Sequence, residues 1–391
     1  MVLSILALCV AGLLVWLLPR PPWSTEELAR LDSLSLASLP PLPPDPSNRV
    51  ADDPRAAEFG RTIFHSLRFS ANGQVACDLC HWPDRYYTDR LPQAQGIGTV
   101  PLNTMTVLGA AYSPWYTWNG KSDSQWAQSL LALENPLEHG GDRTFYAHVV
   151  ANRYAAPYTE IFGPLPDLAD MQRFPPHAGP VAEPASRAAW EGMAAADQTA
   201  INQVFANLGK ALAAYQRTLQ PQPARFDGYV AAALADDRPE MAAIFTSEEE
   251  AGLRLFLGKA GCIGCHHGPL FTDFAFHNTG IAEGPMARGR ATGVMLWAAD
   301  PFNCLGVYSD AESEGCVQPQ LEGALPGAFK TPTLRNVTET APYMHTGAFP
   351  DLMAVLRHYN AGASGLAPLH LSQQELEQLA AFLGALTGPL P

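Results

Sequence analysis

Apolar residues recur at helical spacing along much of the chain, and strand-like alternation persists nowhere. The pattern predicts a mainly α fold with long loops and few short strands. From Arg55 to Phe64, the apolar residues Ala56, Phe59, Ile63 and Phe64 keep helical spacing. A second helix is predicted from about Gln125 to Leu133. A third runs from about Asp197 to Gln216, rich in Ala, Leu and Phe, and Pro221 and Pro223 end it. Phe245-Thr246-Ser247-Glu248-Glu249-Glu250 reads as a capped helix start leading through Leu253 and Phe256.

Two stretches fall outside this pattern. Val2 to Leu18 is almost wholly apolar and is followed by Arg20. The run is long for a signal-peptide core and short for a spanning helix. It has no basic start, which a start codon placed too late would explain. Residues 1–18 are therefore read as a signal peptide or an uncleaved membrane anchor, with Cys9 as an apolar helix residue. Residues 19–54, rich in Pro, Ser and Leu, read as a linker.

At 391 residues the chain is long enough for two domains, and 47% hydrophobic residues allow a substantial core. The 35 prolines and 32 glycines suit loops wrapped around cofactors. A net charge of −14 argues against nucleic acid and permits docking of a basic partner.

Four of the seven cysteines carry the chemistry. Cys77-Asp78-Leu79-Cys80-His81 and Cys262-Ile263-Gly264-Cys265-His266 are two copies of the c-type haem attachment signature. One turn presents two thiols to the porphyrin, and the next residue reaches the iron. A zinc site would need four grouped ligands, which neither motif supplies alone. The stretches Arg55 to His81 and Ser247 to His266 share an order of helix, short loop, Cys pair and His. Two cytochrome c-like haem domains in one chain follow, over residues 55–220 and 221–391. Covalent haem attachment takes place outside the cytoplasm, so the chain is expected to be exported to the periplasm. In an oxidising compartment Cys304 and Cys316 are read as a disulfide, with two free thiols as the alternative.

The order of motifs resembles the bacterial dihaem cytochrome c peroxidases and their MauG-type relatives. The match runs from about Gly60 to Leu386. It rests on the two haem motifs, Thr117-Trp118-Asn119-Gly120-Lys121, Glu134-Asn135-Pro136-Leu137-Glu138, Lys330-Thr331-Pro332-Thr333-Leu334-Arg335-Asn336-Val337 and Thr340-Ala341-Pro342-Tyr343-Met344-His345-Thr346-Gly347. The resemblance implies that His81 ligates an N-terminal haem where hydrogen peroxide reacts. It makes Glu138 the distal carboxylate and Gln128 its hydrogen-bonding partner. A solvated loop acid is the plain reading of Glu138. The family's usual Pro between those two residues is replaced by Leu131-Ala132. In the peroxidase branch a second histidine about sixteen residues after the ligand can cap the iron; here that position is Ile97, so an open iron is expected. Trp118 matches the tryptophan between the haems, whereas Trp115, Trp126 and Tyr116 read as packing residues.

His266 would ligate the C-terminal haem. Its opposite ligand, a Met in the peroxidase branch, falls on Tyr359, fourteen residues after His345. A phenolate is a hard anionic ligand and favours ferric or higher iron. Met344, Met353, His358 and His277 are the rivals. Asn103, Thr340 and Pro342 match a calcium site between the haems, and His345 would lie near the second haem without ligating it. Two haems and one calcium ion are the implied cofactors. The first expected function is peroxide reduction with electrons from a small cytochrome c or copper protein. The second is MauG-type oxidation of aromatic side chains on a protein substrate. The third is a non-catalytic electron carrier, against which Glu138 and the missing histidine argue. The oligomeric state is left open, a homodimer included.

Overall fold

A computed structural model describes residues 22–282, 288–312, 315–316, 326–363 and 365–391. The apolar run at residues 1–18 lies outside them. Among the described residues no helix is long and apolar enough to cross a membrane. The helices in the first half are α1 (Thr25–Leu34), α2 (Pro54–Phe64), α3 (Cys77–Cys80), α4 (Gln125–Glu134), α5 (Arg143–Arg153), α6 (Ala155–Phe162), α7 (Pro184–Glu191) and α8 (Ala195–Arg217). Those in the second are α9 (Arg225–Leu234), α10 (Arg238–Ile244), α11 (Ser247–Leu257), α12 (Arg290–Ala299), α13 (Leu352–Ala361) and α14 (Gln373–Gly384). Two short strands, β1 (Phe276–His277) and β2 (Phe329–Lys330), pair antiparallel. The fold is thus mainly α, as the spacing predicts.

Among the described residues, most buried apolar side chains gather in two large cores, with a small third cluster at Val50, Ala56 and Ala214. One holds Phe59, Trp126, Tyr146 and Phe205; the other holds Phe226, Phe256, Phe271 and Phe382. Each core has the same central crossing. Gly60 of α2 meets α8 so closely that a Cβ would lie 1.9 Å from the Ala211 carbonyl oxygen. Gly252 of α11 meets α14 in the same way, 1.9 Å from the Gln378 carbonyl oxygen. Backbone cannot step aside as a side chain can, so Gly252→Ala is expected to destabilise the haem-loaded protein by about 1–3 kcal/mol. Chemical denaturation followed at the haem band measures this; an unshifted midpoint would show that the helices slide apart freely.

The stretch read as a linker is corrected in part. Residues 25–34 form α1, capped by Ser24 and Glu27 in a reciprocal box. Leu31 and Leu34 are fully buried in the second core, and Trp23 Nε1 donates to Tyr229 Oη at 2.8 Å. Farther along, Asn48 Nδ2 donates to the Lys210 carbonyl on α8 at 3.0 Å. The segment therefore straps both cores, its apolar face hidden in the composition by surrounding Pro and Ser. A second crossing runs the other way: Phe302 and Tyr308 join the first core, and Lys210 Nζ donates to the Tyr308 carbonyl at 2.8 Å. The Cys304–Cys316 disulfide closes the loop that follows α12.

Candidate functional site

Cys77 and Cys80 open and close the single turn of α3, and His81 caps it. Cys262 opens a 3₁₀ turn, and the His266 amide returns to the Cys262 carbonyl as that of His81 does to Cys77, at 2.9 and 2.8 Å. None of the four motif cysteines is taken up in a disulfide. His81 Nδ1 donates to the Tyr87 carbonyl at 3.3 Å, and His266 Nδ1 donates to the Phe271 carbonyl at 2.9 Å. A ring N–H held this way fixes the tautomer and leaves the Nε2 lone pair for a metal. Burial pushes both imidazoles below their ordinary pKa, which keeps them neutral and ligating. Two thiols and one oriented neutral imidazole fit a c-type haem in each half.

A second feature is repeated in the two halves, although its residues are not. Tyr116 bridges to Ser122, and Tyr343 bridges to Phe349. Within each bridge, Thr117 and Gly120 take φ of 66° and 66°, and Met344 and Gly347 take 71° and 64°. Each turn then feeds a ten-residue helix, α4 capped by Ser124 and α13 capped by Asp351. Counting from the caps, Tyr359 on α13 has Ala132 as its counterpart on α4. One half therefore presents a phenol where the other presents a methyl group.

Tyr359 is half-buried. Burial first, then the charges of Cys262 and Cys265, push its phenol up to about 12. Its helix packs into the second core through Leu356, and Cys262 packs against the same core. Its rivals are engaged elsewhere. His358 Nε2 donates to the Thr279 carbonyl at 2.7 Å, His277 Nε2 lies 2.7 Å from Asp273 Oδ2, and Met353 packs on the second core. Met344 sits in the tight turn beside His345.

Glu138 follows α4 and remains half-buried. Asn135 Nδ2 donates to its Oε1 at 2.6 Å. Burial raises its carboxyl pKa, opposed by the Lys121 charge and the Asn135 hydrogen bond. Gln128 lies one turn before Ala132 on α4, on the same face. No direct hydrogen bond joins Gln128 to Glu138 among the described residues. The Ile97 loop is held against the backbone around Glu138: the Ile97 amide donates to the Glu138 main-chain carbonyl at 3.0 Å and Gly98 to that of Leu137 at 3.0 Å. Gly96 has no room for a Cβ, which would lie 2.4 Å from the Leu137 oxygen. Ile97 carries no ligating atom.

Trp118 joins the two halves. Its Nε1 donates to the Asn103 carbonyl at 2.8 Å, its own carbonyl accepts from the Lys330 amide at 2.7 Å, and its ring meets His345 edge-on at 6.3 Å. His345 in turn stacks on Phe329 at 3.6 Å. Asn103 is buried, and its amide donates to the His345 carbonyl at 2.9 Å. Its Nδ2 is used by Leu91 at 2.9 Å, which leaves Oδ1 as an acceptor. Arg90 ties the same loop to Glu339, next to Thr340 and near the buried Pro342.

Three residues given no role from sequence belong to this region. The Lys121 charge lowers the carboxyl pKa of Glu138. His139, buried, donates through Nδ1 to the Phe69 carbonyl at 2.7 Å, with Nε2 3.8 Å from Cys77 Sγ. Lys330 is buried 5.6 Å from the Phe274 ring centre, and burial pushes its ammonium down to about 8. Lys121 and Lys330 stand inside motifs, but charge on a motif lysine does not reveal which way it folds.

Residues 54–234 match the profile of a family described as di-haem cytochrome c peroxidase. The chain is 33% identical to cytochrome-c peroxidase IdrP1 of Denitromonas iodatirespirans, over 90% of this chain and 87% of that protein. It is 31% identical to methylamine utilization protein MauG of Methylorubrum extorquens, over 85% and 78%. The fold resembles that of a solved MauG-like protein associated with microbial copper homeostasis, with TM-score 0.61 and 24% identity over 89% of this chain and 94% of that one. It also resembles the diheme peroxidase BthA of Burkholderia thailandensis, with TM-score 0.62 and 18% identity over 88% and 89%.

Proposed function

The chain belongs to the family of di-haem cytochrome c peroxidases and MauG proteins, and from that premise we propose that it is a periplasmic enzyme that reduces hydrogen peroxide at its N-terminal haem. The observation that carries this reading is the unequal pair of positions on α4 and α13. Ala132 leaves room for peroxide where Tyr359 offers a ligand in the other half. Bound at the two motifs, the haems supply the redox chemistry, with His81 and His266 as ligands and the four cysteines as tethers. The chain's own residues move protons and electrons. Glu138, with Oε1 held by Asn135, takes a proton from one peroxide oxygen through Oε2 and returns it to the other. Gln128 orients the peroxide from α4. Trp118 lies between the halves and shortens each electron step. Lys330, a buried ammonium, would pair with a carboxylate of a bound haem. Asn103, Thr340 and Pro342 supply oxygens for a calcium ion between the halves.

Electrons come from a small cytochrome c or copper protein. A second reading is favoured by Tyr359 itself. A phenolate on the second iron stabilises high oxidation states, which suits MauG-type oxidation of aromatic side chains on a partner protein. The test is the resting ferric spectrum followed by one equivalent of peroxide. A high-spin component that reacts is expected. Wholly low-spin haem, indifferent to peroxide, would leave the electron carrier as the better account. A long-lived near-infrared band without added reductant would select the MauG-type route.

A further inference from the structure

Outside the sites just described, α12 carries an arrangement that the mechanism does not use. The helix docks on the Trp118 turn through Gly293, where a Cβ would lie 2.0 Å from the Asn119 carbonyl oxygen. One turn later on the same face is Trp297, buried at 7% exposure. Its ring meets Trp115 edge-on, with centroids 6.2 Å apart. Trp115 is three residues from Trp118, a Cα separation of about 11 Å at most. Trp297 Nε1 donates to Asp123 Oδ2 at 2.8 Å. The same oxygen accepts the Cys304 amide at 2.9 Å, and Asp123 Oδ1 is buried without a hydrogen-bond partner.

The charges around the two indoles are opposite. The Arg290 guanidinium lies 4.0 Å over the Trp115 ring, bound to the Gly120 carbonyl at 2.6 Å. A cation on a ring face opposes removal of an electron from that ring. Trp297 has a carboxylate at its N–H instead, which stabilises positive charge and can take the proton. An oxidising equivalent passing outward would cross Trp115 and settle on Trp297. The next residues back along α12, Leu296 and Met295, are 49% and 73% exposed. The indole thus lies just below the surface.

We propose that Trp297, with Asp123 as its proton acceptor, is a redox-active tryptophan fed through Trp115. The proposal rests on the peroxide reading above. The oxidant is hydrogen peroxide acting through the haems. The indole gives one electron inward by way of Trp115 and Trp118. Its Nε1–H bond breaks, the proton passes to Asp123 Oδ2, and a neutral indolyl radical remains. One electron from an external one-electron donor and return of the proton restore the indole.

The test uses the haem-loaded protein, with ordinary and with ring-deuterated tryptophan, frozen after one equivalent of peroxide. Electron paramagnetic resonance should show an organic radical whose hyperfine splitting collapses on deuteration. Trp297→Phe should remove that signal. Asp123→Asn, which keeps the side chain's shape, should lower its yield and serves if the first variant fails to fold. Were the indole only a packing residue hydrogen-bonded to Asp123, neither change would touch the spectrum. The same signal in both variants would overturn the proposal. So would a wild-type sample whose haems react with peroxide yet yield no tryptophan radical. Haems that do not react at all would overturn the peroxide reading as well, and the optical trace on the same sample separates these cases.

Discussion

Exchanging Glu138 for Gln slows the reaction with hydrogen peroxide by roughly a hundredfold or more. Gln keeps the shape and the contact with Asn135 but cannot carry a proton between two oxygens. Stopped-flow mixing of the ferric protein with peroxide measures it, and an unaltered rate would remove Glu138 from the chemistry. The pH dependence follows from the same group. A base works only when unprotonated, so activity falls as pH drops through the carboxyl's pKa. Burial raises that pKa while Lys121 and Asn135 hold it down. The acid limb should therefore lie above the ordinary carboxylate range. In Lys121→Met the opposing charge is gone, and the limb should move to higher pH still. A limb that stays in place would show that Lys121 does not act on Glu138 in the loaded protein.

Replacing Tyr359 with Met raises the potential of the second haem on the order of 0.1 V or more, within the ~0.8 V over which axial ligands act. The physical reason is the loss of a hard anionic oxygen, which favours ferric iron, for a soft neutral sulfur. Spectroelectrochemical titration reads the shift, and an unmoved potential would end the ligand assignment. The mirror experiment is Ala132→Tyr, which places a phenol at the equivalent position on α4. The first haem should then turn low-spin and lose its reaction with peroxide. If it stays high-spin and reactive, the equivalence of α4 and α13 does not extend to the iron.

These two experiments show where sequence and structure divide the work. Ala132 and Tyr359 have nothing in common as residues, and the helices that carry them share little beyond a polar cap. Their equivalence emerges only from the matching turns at Tyr116–Ser122 and Tyr343–Phe349 and from equal counts to each cap. The resemblance to known dihaem enzymes pointed to Tyr359 through its spacing from His345. It had no means of saying what stands at the same place in the other half. The reading of residues 19–54 as a linker fell short for a related reason. Leu31 and Leu34 make a helix worth forming only because the second core has a face for them.

Haem attachment was legible because it is local covalent chemistry: two thiols and an imidazole must lie within one turn, so five consecutive residues specify them. The helices α2, α4, α8 and α11 were legible for a similar reason, since burial along one face imposes a period on the chain itself. What the tertiary structure decided is every feature made by residues distant in sequence. The Lys121 charge at Glu138, the burial of Lys330, the Trp118 bridge to His345 and the Asp123 carboxylate at Trp297 all depend on how separate loops meet. Short-range order leaves a repeating mark on a sequence, whereas a meeting of loops leaves none, because any residue there is chosen by partners that the chain reaches only after folding.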